Sequence, residues 1–118
     1  MEDNLVLCGA NSYEEKYYLN PVYEVLPQQV KDELKILCVL FVNEVGGIII
    51  LEFNEEGDLR IVVTRNDDDF FYDDIESELK VRKLQRENEE LFSMLERYFR
   101  VMNGLEDIDL SELDDEEE

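Results

Sequence analysis

Residues 46–64, GGIIILEFNEEGDLRIVVT, contain two apolar runs rich in β-branched side chains, 48–53 and 59–64. Runs of this composition favour β-strands. The loop between them, 54–58, carries the glycine that is typical of a hairpin connection. The stretch therefore predicts an antiparallel hairpin as the centre of the domain.

The segment before this hairpin, 35–45, is compatible with two structures. Its central run ILCVLFV, 36–42, is apolar on all sides and rich in β-branched residues, which favours a buried strand. The spacing of Leu34, Cys38 and Phe41 fits a helix instead. We predict a strand here, which gives a three-stranded antiparallel meander, and keep a helix over 35–45 as the alternative.

Two short helices are predicted on the N-terminal side of the meander. Asn11 and Ser12 are residues that cap helices, and Asn20 ends the first helix because a residue before proline avoids the helical conformation. Pro27 suits the first position of the second helix.

One long helix is predicted on the C-terminal side. Asp73 and Glu76 have the spacing of a capping box, and no glycine or proline follows until Gly104. We expect a helix of roughly 30 residues that packs on the sheet. Beyond it, residues 104–118 carry nine acids and no base, which predicts a disordered acidic tail. The predicted fold is therefore α+β, with one domain over residues 1–103 and a tail over 104–118.

Charge limits the partners that this chain can have. With 32 acidic and 11 basic residues, its formal charge is −21. Such a surface repels phosphate backbones and anionic membranes, so we expect no nucleic-acid or membrane partner, and a basic protein is favoured. The N-terminus has no basic segment followed by an apolar run, and no apolar stretch reaches about 20 residues. These features predict a soluble cytoplasmic protein.

Catalytic motifs are missing from the sequence. The chain has no histidine, and it contains no phosphate-binding loop, dinucleotide fingerprint or nucleophile elbow. Cys8 and Cys38 do not form a metal-binding pair. Without a histidine base, Cys8 is a poor hydrolytic nucleophile, although its reactivity is left open. We expect no enzyme activity and no cofactor.

The acidic loop 67–74 is a weak candidate for a divalent metal site. Asp67, Asp69 and Asp73 are the candidate ligands, since carboxylates suit Mg²⁺ and Ca²⁺. The loop lacks the glycine and the ligand spacing of an EF-hand. The alternative is a solvated loop whose last acids complement the positive end of the long helix.

Two groups of residues are candidates for an interface. Tyr13 and Tyr17 lie in a tyrosine-rich segment, and tyrosine is enriched at binding hot spots; packing within the chain is the alternative. On the long helix, Leu84, Asn88 and Leu91 follow three–four spacing, and a buried asparagine at such a position favours a parallel dimer. A homodimer through this helix is therefore predicted, with packing of the same stripe on the chain's own sheet as the alternative.

Several short segments resemble a family of short acidic bacterial proteins of unknown function. The segment CGANSYEEKYYLNPVY, 8–23, is similar to the opening of that family. Similar segments are VGGI at 45–48, LEF at 51–53 and YDDI at 72–75. The resemblance covers residues 7–103. It implies a bacterial cytoplasmic protein and a self-standing domain, and it brings no activity, cofactor or site.

Three functional hypotheses remain. The first is a non-enzymatic interaction module that binds a protein partner and forms a homodimer. The second is an acidic inhibitor that mimics nucleic acid, such as an immunity-type protein of a basic partner. The third is a metal-binding protein that uses the acidic loop 67–74.

Overall fold

The structure, a computed structural model, describes residues 5–106 and has an α+β fold. Its elements, in chain order, are β1 (Val6–Asn11), β2 (Lys16–Leu19), a short 3-10 helix (Pro21–Tyr23), α1 (Gln28–Val45), β3 (Ile48–Phe53), β4 (Leu59–Thr64), α2 (Asp74–Glu87) and α3 (Glu89–Met102). The strands form one four-stranded sheet in the order β2-β1-β3-β4, and every neighbouring pair is antiparallel. The sheet therefore has one strand more than the predicted meander.

The first predicted helix is wrong, because that segment forms the β1–β2 hairpin. The side-chain oxygen of Asn11 accepts hydrogen bonds from the backbone N–H groups of Tyr13, at 2.9 Å, and Glu14, at 3.2 Å. This side chain thus closes a turn, which is the other structure that asparagine favours. Glu15 completes the turn with a positive φ of 55°.

The predicted strand over 35–45 is also wrong, and the helical alternative is the observed structure. The helix α1 runs from Gln28 to Val45, and it buries Leu34, Cys38, Phe41 and Val42. The strand that pairs with β3 on this side is β1, in which Ala10 lies opposite Ile49. Residues 36–42 therefore cover the sheet as a helix and do not extend it.

The core lies on one face of the sheet, between the strands and the helices. The Sγ atoms of Cys8 on β1 and Cys38 on α1 are 3.8 Å apart. The ring of Phe53 on β3 stacks on that of Phe99 on α3, with 4.4 Å between centroids. Both helical layers thus cover the same face.

The predicted long helix is divided at Asn88. This residue has φ −123° and ψ 29°, and its side-chain amide donates to the carbonyl of Leu84 at 2.9 Å. Asparagine interrupts a helix in this way because its side chain competes for backbone hydrogen bonds. The chain therefore carries two 14-residue helices in place of one helix of 30.

No helix within residues 5–106 is both long enough and apolar enough to cross a membrane. The acidic tail beyond Glu106 lies outside the described residues, so its disorder stays a prediction.

Candidate functional site

Four large apolar side chains are strongly exposed on the loop before α2 and on the first half of that helix. The exposed fractions are 86% for Phe70, 98% for Phe71, 73% for Ile75 and 60% for Leu79. We call these four residues the apolar patch. Clusters of exposed apolar side chains mark interaction surfaces more often than scattered ones do.

Helical periodicity explains why Ile75 and Leu79 face outward. The inward face of α2 carries Ser77 and Leu84, which are both buried. Ile75 and Leu79 are spaced i, i+4, so they lie beside each other on a face of their own. The apolar residues of α2 thus serve two surfaces, one toward the core and one toward solvent.

The loop that carries the two phenylalanines is held at both of its ends. On one side, the hydroxyl of Tyr13 donates to a carboxylate oxygen of Asp69 at 2.6 Å and accepts from the backbone N–H of Asn66 at 3.1 Å. On the other side, the hydroxyl of Tyr72 donates to Ser77. The patch is therefore presented by a loop with defined anchors.

The cap of α2 completes this anchoring. One carboxylate oxygen of Asp73 accepts from the backbone N–H groups of Ile75 and Glu76, each at 3.0 Å. An N-cap of this kind stabilises a helix by about 1 kcal/mol. It fixes the first turn of α2, on which Ile75 lies.

The metal candidates of the acidic loop have other roles in the structure. Asp73 caps α2, Asp69 accepts from Tyr13, and Asp67 is exposed. Within residues 5–106, no group of three His, Cys, Asp or Glu side chains is arranged to hold a metal ion.

The interface candidate Tyr17 points toward the core. It lines a cleft of about 590 Å³ between the β1–β2 hairpin and α1. Its hydroxyl is buried, and it has no hydrogen-bond partner among the described residues. Burial raises the pKa of Tyr17, and the neighbouring thiols of Cys8 and Cys38 raise it further.

The two cysteines are placed as core residues. Both have no exposed surface. The hydrogen bond to Cys8 and burial raise the pKa of the Cys38 thiol. Because the thiolate is the reactive form of cysteine, this environment favours an inert, protonated Cys38.

The candidates on the predicted long helix face the chain itself. Leu84 is a core residue, and Leu91 packs against that core. Asn88 separates α2 from α3, so it does not occupy a position within one continuous coiled-coil helix.

The apolar patch was not predicted from the sequence. Two signals for it are present: adjacent phenylalanines stand between acidic residues, at 70–71, and Ile75 and Leu79 lie off the stripe that contains Val81 and Leu84. Buried and exposed apolar residues look alike in a single sequence, since roughly half of the residues in any domain are apolar.

One comparison with known proteins gives a result. The model of a family described as "Family of unknown function (DUF6145)" matches residues 4–107. No curated protein and no solved structure is significantly similar to the chain.

Proposed function

We propose that this chain, which belongs to this family of unknown function over nearly its whole length, is a non-enzymatic, cytoplasmic protein-interaction module. The predicted family resemblance is confirmed; the bacterial origin that it implied stays a prediction.

The observation that carries this proposal is the apolar patch. In a chain with 32 acidic residues, four large apolar side chains within the stretch 70–79 face solvent. Their transfer out of water on binding is favourable by roughly 25 cal/mol for each Å² buried. A partner that covers them would gain a hydrophobic centre for an interface.

The anchoring of the patch supports the same proposal. Binding is weakened by the entropy that is lost when a loop becomes ordered. The hydrogen bonds of Tyr13 with Asp69, and of Tyr72 with Ser77, fix this loop in the free chain. The surface is therefore preorganised for a partner.

The proposal can be tested by affinity capture from a lysate of the source cells. We would compare the full chain with a Phe71→Ser/Leu79→Ser variant. The matched control is Val22→Ser/Val25→Ser. These two valines are also exposed, by 52% and 75%, but they lie far from the apolar patch in the sequence. Circular dichroism would confirm that all three chains are folded.

We expect a partner that is retained by the wild type and the control and is lost by the patch variant. Capture that is equal for all three chains would contradict the proposed surface. If the captured protein were basic and were released by salt from all three, the acidic-inhibitor hypothesis would replace the proposal.

A further inference from the structure

The strand β4 is an edge of the sheet, so one side of its backbone has no partner strand. It pairs with β3 alone in the order β2-β1-β3-β4. At the turn between these two strands, the backbone N–H of Asn54 donates to the carbonyl of Asp58 at 2.9 Å. Hydrogen-bonded pairs recur at every second residue of an antiparallel ladder, so the residues of β4 that bond to β3 are Arg60, Val62 and Thr64. The alternate residues of β4 direct their backbone groups away from the sheet.

A contact at the start of β4 agrees with this alternation. The backbone N–H of Leu59 donates to a carboxylate oxygen of Glu96 on α3 at 2.8 Å, so it points away from β3. Ile61 and Val63 follow at intervals of two residues and have the same orientation. Within residues 5–106, no group pairs with the backbone N–H or carbonyl of Ile61 or Val63. We call these four backbone groups the open edge.

A groove of about 380 Å³ lies beside the open edge, between β4 and α2. Its apolar lining comes from Ile61 and Val63 on the strand, together with Tyr72 and Val81. A strand added at the open edge would direct every second side chain toward this groove, because side chains alternate between the two faces of a sheet. The site therefore suits an extended segment with apolar residues at alternate positions.

The edge at β4 lacks the features that usually prevent an edge strand from pairing. It contains neither proline nor lysine, and its register with β3 shows no bulge. The opposite edge, β2, has only four residues and begins with Lys16. By contrast, β4 has six residues, of which four are β-branched. Its composition thus favours the addition of another strand.

Both ends of the open edge are acidic. The strand β4 and the loops on either side of it, 54–69, carry six acids and two bases. All six acids stand before Leu59 or after Arg65, so they flank the strand at both ends. Glu96 beside Leu59 and Glu78 in the groove add two more acids. A segment with basic residues at both of its ends is complementary to this arrangement.

The bases near the open edge are each paired within the chain. The pairs are Arg60 with Glu52, Arg65 with Asp74, Arg82 with Glu78 and Arg100 with Asp58. Within residues 5–106, the acids Glu55 and Glu56 at one end and Asp67 and Asp68 at the other form no ion pair. The charge that is left uncompensated around the edge is therefore negative at both ends.

The same charges disfavour the two occupants that the chain itself could supply. A second copy that paired through β4 would bring its own six acids and two bases to the interface. Residues 107–118 carry eight acids and no base. Like charges that are brought together oppose association. A basic segment of another protein is the occupant that charge favours.

We propose that the open edge of β4 binds an extended, basic segment of a partner protein as an additional antiparallel strand. The backbone of Ile61 and Val63 holds the segment, two of its apolar side chains enter the groove, and basic residues at its ends meet the acidic flanks. Main-chain hydrogen bonds supply the affinity in this mode of recognition, and alternate side chains supply the specificity. The groove shares no lining residue with the apolar patch, so this is a second binding surface, beyond the proposed function.

The probe is the end-blocked peptide Lys-Thr-Val-Thr-Val-Thr-Lys, which carries a fluorophore and is titrated with the full chain at physiological ionic strength. In the antiparallel arrangement its valines lie opposite Ile61 and Val63. The valine N–H groups then face β4, whereas the N–H group of the central threonine faces away. We expect saturable binding, which N-methylation of both valines weakens about tenfold or more through the lost hydrogen bonds. N-methylation of the central threonine should leave the affinity unchanged.

A variant of the chain tests the same edge from the other side. Val63→Pro removes a backbone N–H that points away from β3, and proline is tolerated at such a position of an edge strand. Binding of the peptide should fall about tenfold, because a hydrogen bond is lost and the proline ring obstructs the edge. Val63→Thr is the matched control, since it keeps the N–H and the β-branched shape. Circular dichroism would show that both variants are folded, and the methylated peptides test the edge without any change to the chain.

Two further comparisons test the charge and the position of the site. The peptide Glu-Thr-Val-Thr-Val-Thr-Glu keeps the valines but replaces both bases by acids, and it should bind about tenfold more weakly or less. The variant Phe71→Ser/Leu79→Ser changes the apolar patch and should bind the basic peptide with the affinity of the wild type. Loss of peptide binding in that variant would contradict a second, separate surface.

Absence of peptide binding to the wild type would overturn this inference. Equal affinities for the two methylated peptides would also overturn it, since the backbone would then not be recognised. Sedimentation velocity of the free chain provides the last check. Self-association that is lost in Val63→Pro would assign the open edge to a second copy and would exclude the basic segment. The capture experiment for the apolar patch changes other residues, so either proposal can fail without the other.

Discussion

The hydroxyl of Tyr13 donates to Asp69 across 2.6 Å and so joins the β1–β2 hairpin to the loop that presents Phe70 and Phe71. The two residues are 56 positions apart in the chain. The same hydroxyl accepts from the backbone N–H of Asn66. One tyrosine at a hairpin tip thus helps to set the position of the proposed binding surface.

Replacement of Tyr13 by phenylalanine is expected to loosen this loop. The change removes both hydrogen bonds and should lower the free energy of unfolding. Amide exchange at Asn66 should become faster in the same variant. Tyr18→Phe is the control, since the hydroxyl of Tyr18 forms no hydrogen bond within the described part of the chain and its side chain is exposed. Equal rates of amide exchange at Asn66 in the two variants would contradict a role for Tyr13 in holding this loop.

Replacement of Tyr17 by phenylalanine is expected to stabilise the chain. Its hydroxyl is buried without a hydrogen-bond partner among residues 5–106, which is unfavourable relative to water. Removal of this group should raise the free energy of unfolding by about 1 kcal/mol, as measured by urea denaturation. A loss of stability of that size would show that the hydroxyl makes a favourable interaction in solution.

Gly47 and Gly104 offer a matched test of steric fit. Both have a φ of +76°, but a Cβ on Gly47 would lie 2.8 Å from the carbonyl oxygen of Thr64 and 2.8 Å from the ring of Tyr72, whereas a Cβ on Gly104 meets nothing within 4 Å. Gly104→Ala should cost about 1 kcal/mol of backbone strain. Gly47→Ala adds the clash and should cost about 3 kcal/mol. Thermal unfolding of the two variants measures the difference, and equal losses would mean that the site at Gly47 relaxes freely.

The stability of the chain is expected to fall at alkaline pH. Burial raises the pKa of Tyr23 from 10.0 to about 12. The folded state therefore holds the neutral phenol, while the unfolded chain ionises above pH 10. The stabilisation is complete below pH 10 and is lost as the pH rises toward 12. The raised pKa values of Tyr17 and Cys38 act in the same direction.

Urea denaturation on either side of pH 10 measures this loss. The Tyr17→Phe variant is the control, because it lacks one of the contributing phenols and should lose less stability over the same range. Stability that is constant up to pH 12 would contradict the burial of these groups.

Local composition was enough to predict the hairpin but not its neighbours. The predicted strands 48–53 and 59–64 coincide with β3 and β4, since their apolar runs and their glycine-bearing loop contain all of the information needed. The strand β1 is different, because its place beside β3 depends on residues about 40 positions away. Residues 36–42 also have the propensity for a strand, but they form a helix because the strand position beside β3 is taken by β1. Tertiary pairing thus decides between two locally acceptable structures.

The interface candidates show a similar limit. The spacing of Leu84, Asn88 and Leu91 correctly marks an apolar stripe, but a stripe does not say which surface covers it. The structure places Leu84 in the core beside α1, and leaves Ile75 and Leu79 outside. Only the position of α2 in the folded chain distinguishes the buried Leu84 from the exposed Ile75 and Leu79.

The central place of β1 has a consequence for synthesis on the ribosome. This strand leaves the ribosome before the other three, but its inner neighbour, β3, begins only at Ile48. At a synthesis rate of about 5 to 20 residues per second, β1 waits roughly 2 to 8 seconds for that partner. During this interval the nascent chain displays an unpaired strand edge, which is the kind of surface that molecular chaperones protect.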